Sequence, residues 1–331
     1  MRLSFLFVIV CALLLVITAS FFFDVNTQAA LDSASDWQAA ATPFGNATAH
    51  IYLPVISNAL TVNQTVTPSP SAIPTITATA TVSPSATPTN TTPLPDGPVT
   101  MVMLGDSLTI GQGDDSAEGG GYPYRLWQQV EPLRSGSTFT NLGQSGWTST
   151  DLIQGMEGAP SQLNDAVTGL NSSSGAKIAF LWVGSNDLWY LYEYNDPSTA
   201  DEADDVQHFS DNIDTLLSQL DGTGAMLMLA LLDDQSQRPV IANPPNPNEP
   251  AFPGTSEAER QRMSQQVIAY NDVLRAKAAQ YNAHLVDFYH TTLFTTTATL
   301  AEDGNHPNAA GYELITDRWF AVLEPLLQSS R

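Results

Sequence analysis

Four short segments carry residues that could do chemistry together. Ser107 stands in Leu104-Gly105-Asp106-Ser107-Leu108-Thr109, directly after an apolar run. A serine after glycine at a strand-to-helix turn can hold its hydroxyl exposed and its N–H toward a cleft, where the helix start favours negative charge. An Asp or Ser at such a turn serves equally as a plain helix cap. In Asp303-Gly304-Asn305-His306-Pro307 an imidazole comes about one tight turn after a carboxylate, so both can face one cleft. Asp303 would then hold the far ring nitrogen and leave the near one to take a proton from Ser107. A solvated turn with a capping histidine is the competing reading. Pro307 suits the first position of a helix, which would fix His306 at its entrance. In Gly184-Ser185-Asn186-Asp187 the Asn186 amide can donate to a developing oxyanion, or simply close an Asx turn. Gly146, in Asn141-Leu142-Gly143-Gln144-Ser145-Gly146-Trp147-Thr148, lets the backbone turn tightly and present an N–H. By itself that is a turn.

Other histidines compete for the role of base. His208 falls in an expected surface helix, His284 starts a strand, and His50 precedes a Thr/Pro-rich tract. His290 is the rival, with Asp287 before it at the same spacing as Asp303 and His306. Asp287 falls within an expected strand, where alternation sends it and His290 to opposite faces, so His306 is preferred.

The elements that must position these residues can be read from hydrophobic pattern. Apolar runs at 99–104, 138–142, 178–183, 225–232 and 284–289 read as five strands. Between them, helical periods cover 122–130, 152–170 with interruptions, 203–220 and 256–281, and a closing helix covers 307–327. Strands that are apolar throughout and alternate with helices indicate a parallel sheet covered on both faces, an α/β fold. Ligands in such sheets bind at the carboxyl ends of strands, where three of the segments lie; the fourth, 303–306, comes near the C-terminus, at the entrance of the closing helix.

Taken together and in this order, the Gly-Asp-Ser-Leu at 105–108, Gly146, the Gly-x-Asn-Asp at 184–187 and the Asp-x-x-His at 303–306 resemble the GDSL esterase and lipase family, the SGNH hydrolases. The resemblance runs from about Val99 to the C-terminus. It implies a three-layer α/β/α sandwich, flavodoxin-like, with a five-stranded parallel sheet. It implies Ser107 as nucleophile, His306 as general base and acid, and Asp303 as its orienting acid. It also implies an oxyanion hole of the Ser107 N–H, the Gly146 N–H and the Asn186 side chain. No cofactor and no metal is expected. One departure is Trp147, where the family often has Asp or another small polar residue. Trp147, Trp189 and Tyr190 are candidates for a sugar-stacking or acyl-binding wall, with Tyr192 and Tyr194 close by in sequence. Trp182 lies inside the third strand and reads equally as core. The proline-rich loop 235–254 has no placement from sequence.

Composition sets the context. The 331 residues carry 34 acids against 11 bases, a net charge of −23, which repels phosphate backbones and argues against nucleic acid as a partner. Cys11 is the single cysteine, so neither a disulfide framework nor a thiolate metal site can form within the chain. Arg2 and the apolar run over 3–23 after it read as a secretory signal or a retained membrane anchor, assigned to residues 1–30. Either reading exports the rest of the chain to an extracellular or cell-surface location, with residues 3–23 as a possible tether. Residues 31–60 form a short segment without a clear role. Residues 61–98 form a Thr/Pro/Ser-rich linker too poor in large apolar side chains to build a core, read as an extended stalk. Residues 99–331 form the hydrolase-like domain, expected as a monomer. The expected activity is hydrolysis of carboxylic esters, on acylated carbohydrate or on short-chain acyl esters including lysophospholipid. A non-catalytic carbohydrate-binding or adhesive module and a polysaccharide O-acyltransferase are the alternatives.

Overall fold

The computed structural model describes residues 94–328, except Glu157, Tyr194 and 245–249. The export signal or anchor, the segment 31–60 and nearly all of the linker lie outside the described residues, as does Tyr194.

The strands are β1 (Val99–Gly105), β2 (Thr138–Asn141), β3 (Ala176–Trp182), β4 (Met226–Leu231) and β5 (His284–Asp287), all parallel, in the order β2-β1-β3-β4-β5. The expected five-stranded parallel sheet is thus present. In β1 and β3 nearly every residue is buried, because helices cover both faces. After β1 come α1 (Ser107–Ile110) and α2 (Gly121–Val130); after β2, α3 (Ser149–Gln154) and α4 (Gln162–Ser172). After β3 come α5 (Ser185–Tyr192) and α6 (Thr199–Asp221); after β4, α7 (Pro239–Ala242) and α8 (Glu257–Tyr281); after β5, α9 (Ala309–Leu327). Helices α2 and α9 pack on one face, and α3, α4, α6 and α8 on the other, as right-handed crossovers require.

Aromatic pairs mark the two layers of core. Tyr122 of α2 stacks on Trp319 of α9 at 5.5 Å, and Trp182 at the end of β3 stacks on Phe288 at 4.3 Å. On the opposite face Phe209 of α6 stacks on Tyr270 of α8 at 3.9 Å. The long helices start at side-chain caps: Ser198 with Asp201 and Ser256 with Glu259 close reciprocal capping boxes.

Some boundaries differ from the sequence reading. The packing reaches back past Val99 at least to Leu94. Leu94 is buried, its N–H bonds Leu326 O at 3.1 Å, and Arg134 reaches the carbonyls of Pro95, Gly97 and Leu327. Strand β5 stops at Asp287, two residues before the expected end, where the chain turns. Helix α9 starts at Ala309 with Asn308 as its cap, so Pro307 lies outside the helix, bridged to Leu300. Helix α5 is an addition, because Gly184-Ser185-Asn186-Asp187 reads as a turn while its backbone already starts the helix.

At the end of β1, Gly105 has no space for a side chain. A Cβ there would sit 2.3 Å from Trp182 O and 2.2 Å from Thr109 Oγ1. Gln162 at the start of α4 donates to Gly105 O and accepts from Gly105 N, both at 2.9 Å. Its amide satisfies the two backbone groups of the last strand residue before the turn that carries Ser107.

Candidate active site

Ser107 and His306 are 199 residues apart in sequence and meet at 2.9 Å, Ser107 Oγ to His306 Nε2. The ring's other nitrogen, Nδ1, lies 2.6 Å from Asp303 Oδ2. Asp303 Oδ1 accepts the backbone N–H groups of Asn305 at 2.8 Å and His306 at 2.9 Å. The carboxylate therefore clamps both the ring and the backbone of the same turn. Burial pushes the Asp303 pKa up, but the hydrogen bond and charge of His306 outweigh it and hold the carboxyl below its ordinary range. An ionised Asp303 fixes Nδ1 as the donor and leaves Nε2 to accept from the serine hydroxyl. Ser107 is 8% exposed and His306 2%, so the pair is largely shielded from water.

Asp106 caps α1 by accepting the Leu108 N–H at 2.9 Å. Its second oxygen is buried without a hydrogen-bond partner among the described residues. Burial pushes its pKa up to about 7, against the Leu108 N–H and the charge of Arg238. Helix α1 is a single turn, closed by Gly111 in the left-handed region. The field expected at the start of a long helix is therefore reduced here to a few local N–H groups.

The Gly146 turn is pinned from two sides. Gln144 N–H bonds Gly105 O at 3.2 Å, tying it to the end of β1. Helix α5 grips it through side chains one turn apart: Asn186 Nδ2 donates to Trp147 O at 2.9 Å and the Tyr190 hydroxyl to Gly146 O at 3.1 Å. Gly146 has φ +80°, a conformation that only glycine adopts without strain. Asp187, to which the sequence alone assigns no role, accepts the Ser149 hydroxyl at 2.5 Å and the Ser149 N–H at 3.0 Å. It thereby anchors the start of α3 immediately after the turn. Burial pushes Asp187 up to about 6, with the Ser149 hydrogen bonds opposing. Ser107 comes after β1 and Asn186 after β3, so the two flank the point where the strand order reverses.

The aromatic wall is corrected in part. Trp147 is 4% exposed and packs in the core, so its indole lines no open surface. Trp189 is half-buried and meets Phe252 edge-on at 4.6 Å. Tyr190, 53% exposed, is the open aromatic of the three. Trp182 and Tyr192 are buried, Tyr192 with its hydroxyl on Glu202 at 2.7 Å. The loop 235–254 gains a place. Its start lies on the Asp303–His306 turn, where Val240 N–H bonds Gly304 O at 3.1 Å, and its end reaches Trp189 through Phe252.

Strand geometry does not exclude His290, contrary to the expectation from alternation. Asp287 Oδ2 and His290 Nδ1 lie 2.7 Å apart, and Asp287 Oδ1 accepts the His290 N–H at 3.1 Å. Alternation does not apply, since β5 ends at Asp287 and the next residues turn. The two Asp-x-x-His turns share one local geometry. Surroundings separate them: the His290 side chain is 69% exposed, whereas that of His306 is 3% exposed and touches Ser107.

The family model for the GDSL-like lipase/acylhydrolase family matches residues 103–314, more than half of the chain and all four segments of the site. The chain belongs to this family. Solved structures resemble it at low identity. A lipase from a goat rumen metagenome is 16% identical, covers 70% of this chain and 100% of its own, with a TM-score of 0.50. An α/β hydrolase enzyme from the metagenome of Lake Arreo, Spain, is 22% identical over 71% of this chain and 98% of its own, with a TM-score of 0.46. The esterase EstA from Pseudoalteromonas sp. is 20% identical over 70% and 99%, with a TM-score of 0.45. No curated protein matches the chain.

Proposed function

We propose that this family member is an exported serine esterase that cleaves carboxylic esters through an acyl-enzyme on Ser107. The observation that carries the reading is the continuous chain of hydrogen bonds from Ser107 Oγ through the His306 ring to Asp303 Oδ2, at 2.9 and 2.6 Å. In this reading His306 Nε2 takes the hydroxyl proton as Ser107 attacks the ester carbonyl, and Asp303 stabilises the imidazolium that forms. The Ser107 N–H, the Gly146 N–H and the second amide hydrogen of Asn186 receive the oxyanion. His306 returns its proton to the leaving alcohol, which departs. A water molecule, deprotonated by the same nitrogen, then attacks the acyl-enzyme and releases the acid. Every proton in the cycle passes through one nitrogen, so the chemistry needs no metal or organic group.

The proposed substrates are acetyl esters of carbohydrate, with short-chain lipid esters second. Export and the exposed Tyr190 ring support this order, since a tyrosine face can stack on a sugar. The test is turnover of a p-nitrophenyl ester series from acetate to longer acyl chains, beside acetylated xylan, with Ser107→Ala as control. Wild-type turnover that disappears in Ser107→Ala, with phosphonate labelling of Ser107, supports the esterase. Neither turnover nor labelling would instead point to a carbohydrate-binding module. Turnover only with an added glycan acceptor would point to an O-acyltransferase.

A further inference from the structure

Arg238 is a buried cation in the loop between β4 and α8 that the proposed cycle does not use. It is 2% exposed. Its Nε and Nη2 grip both oxygens of Asp233, just beyond the end of β4, at 2.8 and 2.6 Å. Its Nη1 donates to Asn305 Oδ1 at 2.8 Å, and its guanidinium lies 4.6 Å from the centre of the Phe294 ring. Asn305 is one of the two residues between Asp303 and His306. The other, Gly304, accepts the Val240 N–H, two residues beyond Arg238. The middle of the catalytic turn is thus tied twice to the Arg238 segment. Elsewhere the turn is held by Ala301 N–H on His306 O at 2.8 Å and by Gly113, where a Cβ would come within 2.9 Å of His306 Cβ.

We propose that Arg238 is a positioning residue for the reaction: a planar fork that carries the fixed geometry of the sheet, through Asp233, into Asn305 and so sets where His306 Nε2 stands relative to Ser107. The proposal rests on the esterase reading of Ser107 and His306. Two facts favour it over a merely structural ion pair. An Arg–Asp pair needs no third partner, yet Nη1 is spent on the side chain between the two residues that handle the proton. A guanidinium also presents several donors in one rigid plane, which allows it to bond Asp233 and Asn305 at once; a lysine ammonium cannot span both with the same geometry.

The experiment compares wild type, Arg238→Lys and Asn305→Ala in the full chain, using p-nitrophenyl acetate kinetics, the rate of Ser107 labelling by a phosphonate, and thermal unfolding. Asn305→Ala leaves the Arg238–Asp233 pair intact. At a temperature where each variant is folded, kcat and the labelling rate should fall roughly tenfold to a hundredfold, with KM within about twofold. Variants that lose thermal stability but keep wild-type kcat and labelling would make Arg238 a structural residue and overturn the proposal. Should Arg238→Lys fail to fold, Asn305→Ala decides alone. A wild-type protein that neither turns over nor labels would sink the esterase reading first, so the two failures are distinguishable.

Discussion

Asp303 uses its two oxygens for different purposes, one on the ring of His306 and one on the backbone N–H groups of Asn305 and His306. Replacing it by Asn separates these purposes. The amide oxygen can still accept the two N–H groups, but the amide nitrogen now faces Nδ1 and donates to it. The ring must then carry its proton on Nε2, where it cannot accept from Ser107. Asp303→Asn should therefore keep its fold and lose roughly 10²–10⁴ in kcat, with little change in KM, measured on p-nitrophenyl acetate. A variant at wild-type kcat would show that tautomer control is not what Asp303 provides.

At the scale of elements, the site depends on how β1 ends. Gly105 brings the chain against Trp182 O of β3, and Gln162 from α4 supplies the donor and acceptor that the last strand residue needs. Gln162→Leu preserves size roughly but leaves the Gly105 N–H buried and unpaired, and its C=O with the Gln144 N–H alone. An unpaired buried group costs about 1–3 kcal/mol, so urea unfolding should show a loss of that order. A loss under about 0.5 kcal/mol would mean that water reaches the Gly105 N–H. The periodicity of the sequence locates β1, β3, β4, α6 and α8 within a few residues, because burial on one or both faces leaves a pattern in the residues themselves. It misses α5 and overruns β5, because those boundaries are set by what the next segment packs against. The same overrun misjudges His290, whose bond to Asp287 exists only because the strand stops there.

For the whole molecule, two carboxyl groups buried behind the site give stability a definite dependence on pH. Burial raises Asp106 to about 7 and Asp187 to about 6, above their ordinary value of 3.8. Between pH about 4 and 7 the folded state therefore holds protons that the unfolded chain has released. Stability from these groups is greatest near pH 4 and falls as pH rises toward 7, by an amount on the order of a few kcal/mol. Denaturant unfolding at pH 4.5 and 7.5 should show that decline, and Asp106→Asn, which keeps an acceptor for the Leu108 N–H, should flatten it. A wild-type curve that is level or rises over this window would contradict the assignment.

What the sequence determined by itself is the chemistry that can be written within a few residues: a serine after glycine at a strand end, and a carboxylate one turn before a histidine. Those features arise from short-range backbone geometry, which is why the Asp303–His306 pair is readable and why Asp287–His290 is built the same way. The motif order already pointed to His306, but only the tertiary structure put its ring against Ser107, turned Trp147 to the core and brought Arg238 to Asn305. The reason is distance along the chain. The order of strands in the sheet carries residues 199 apart into contact, and no local pattern records where the crossovers will deliver them.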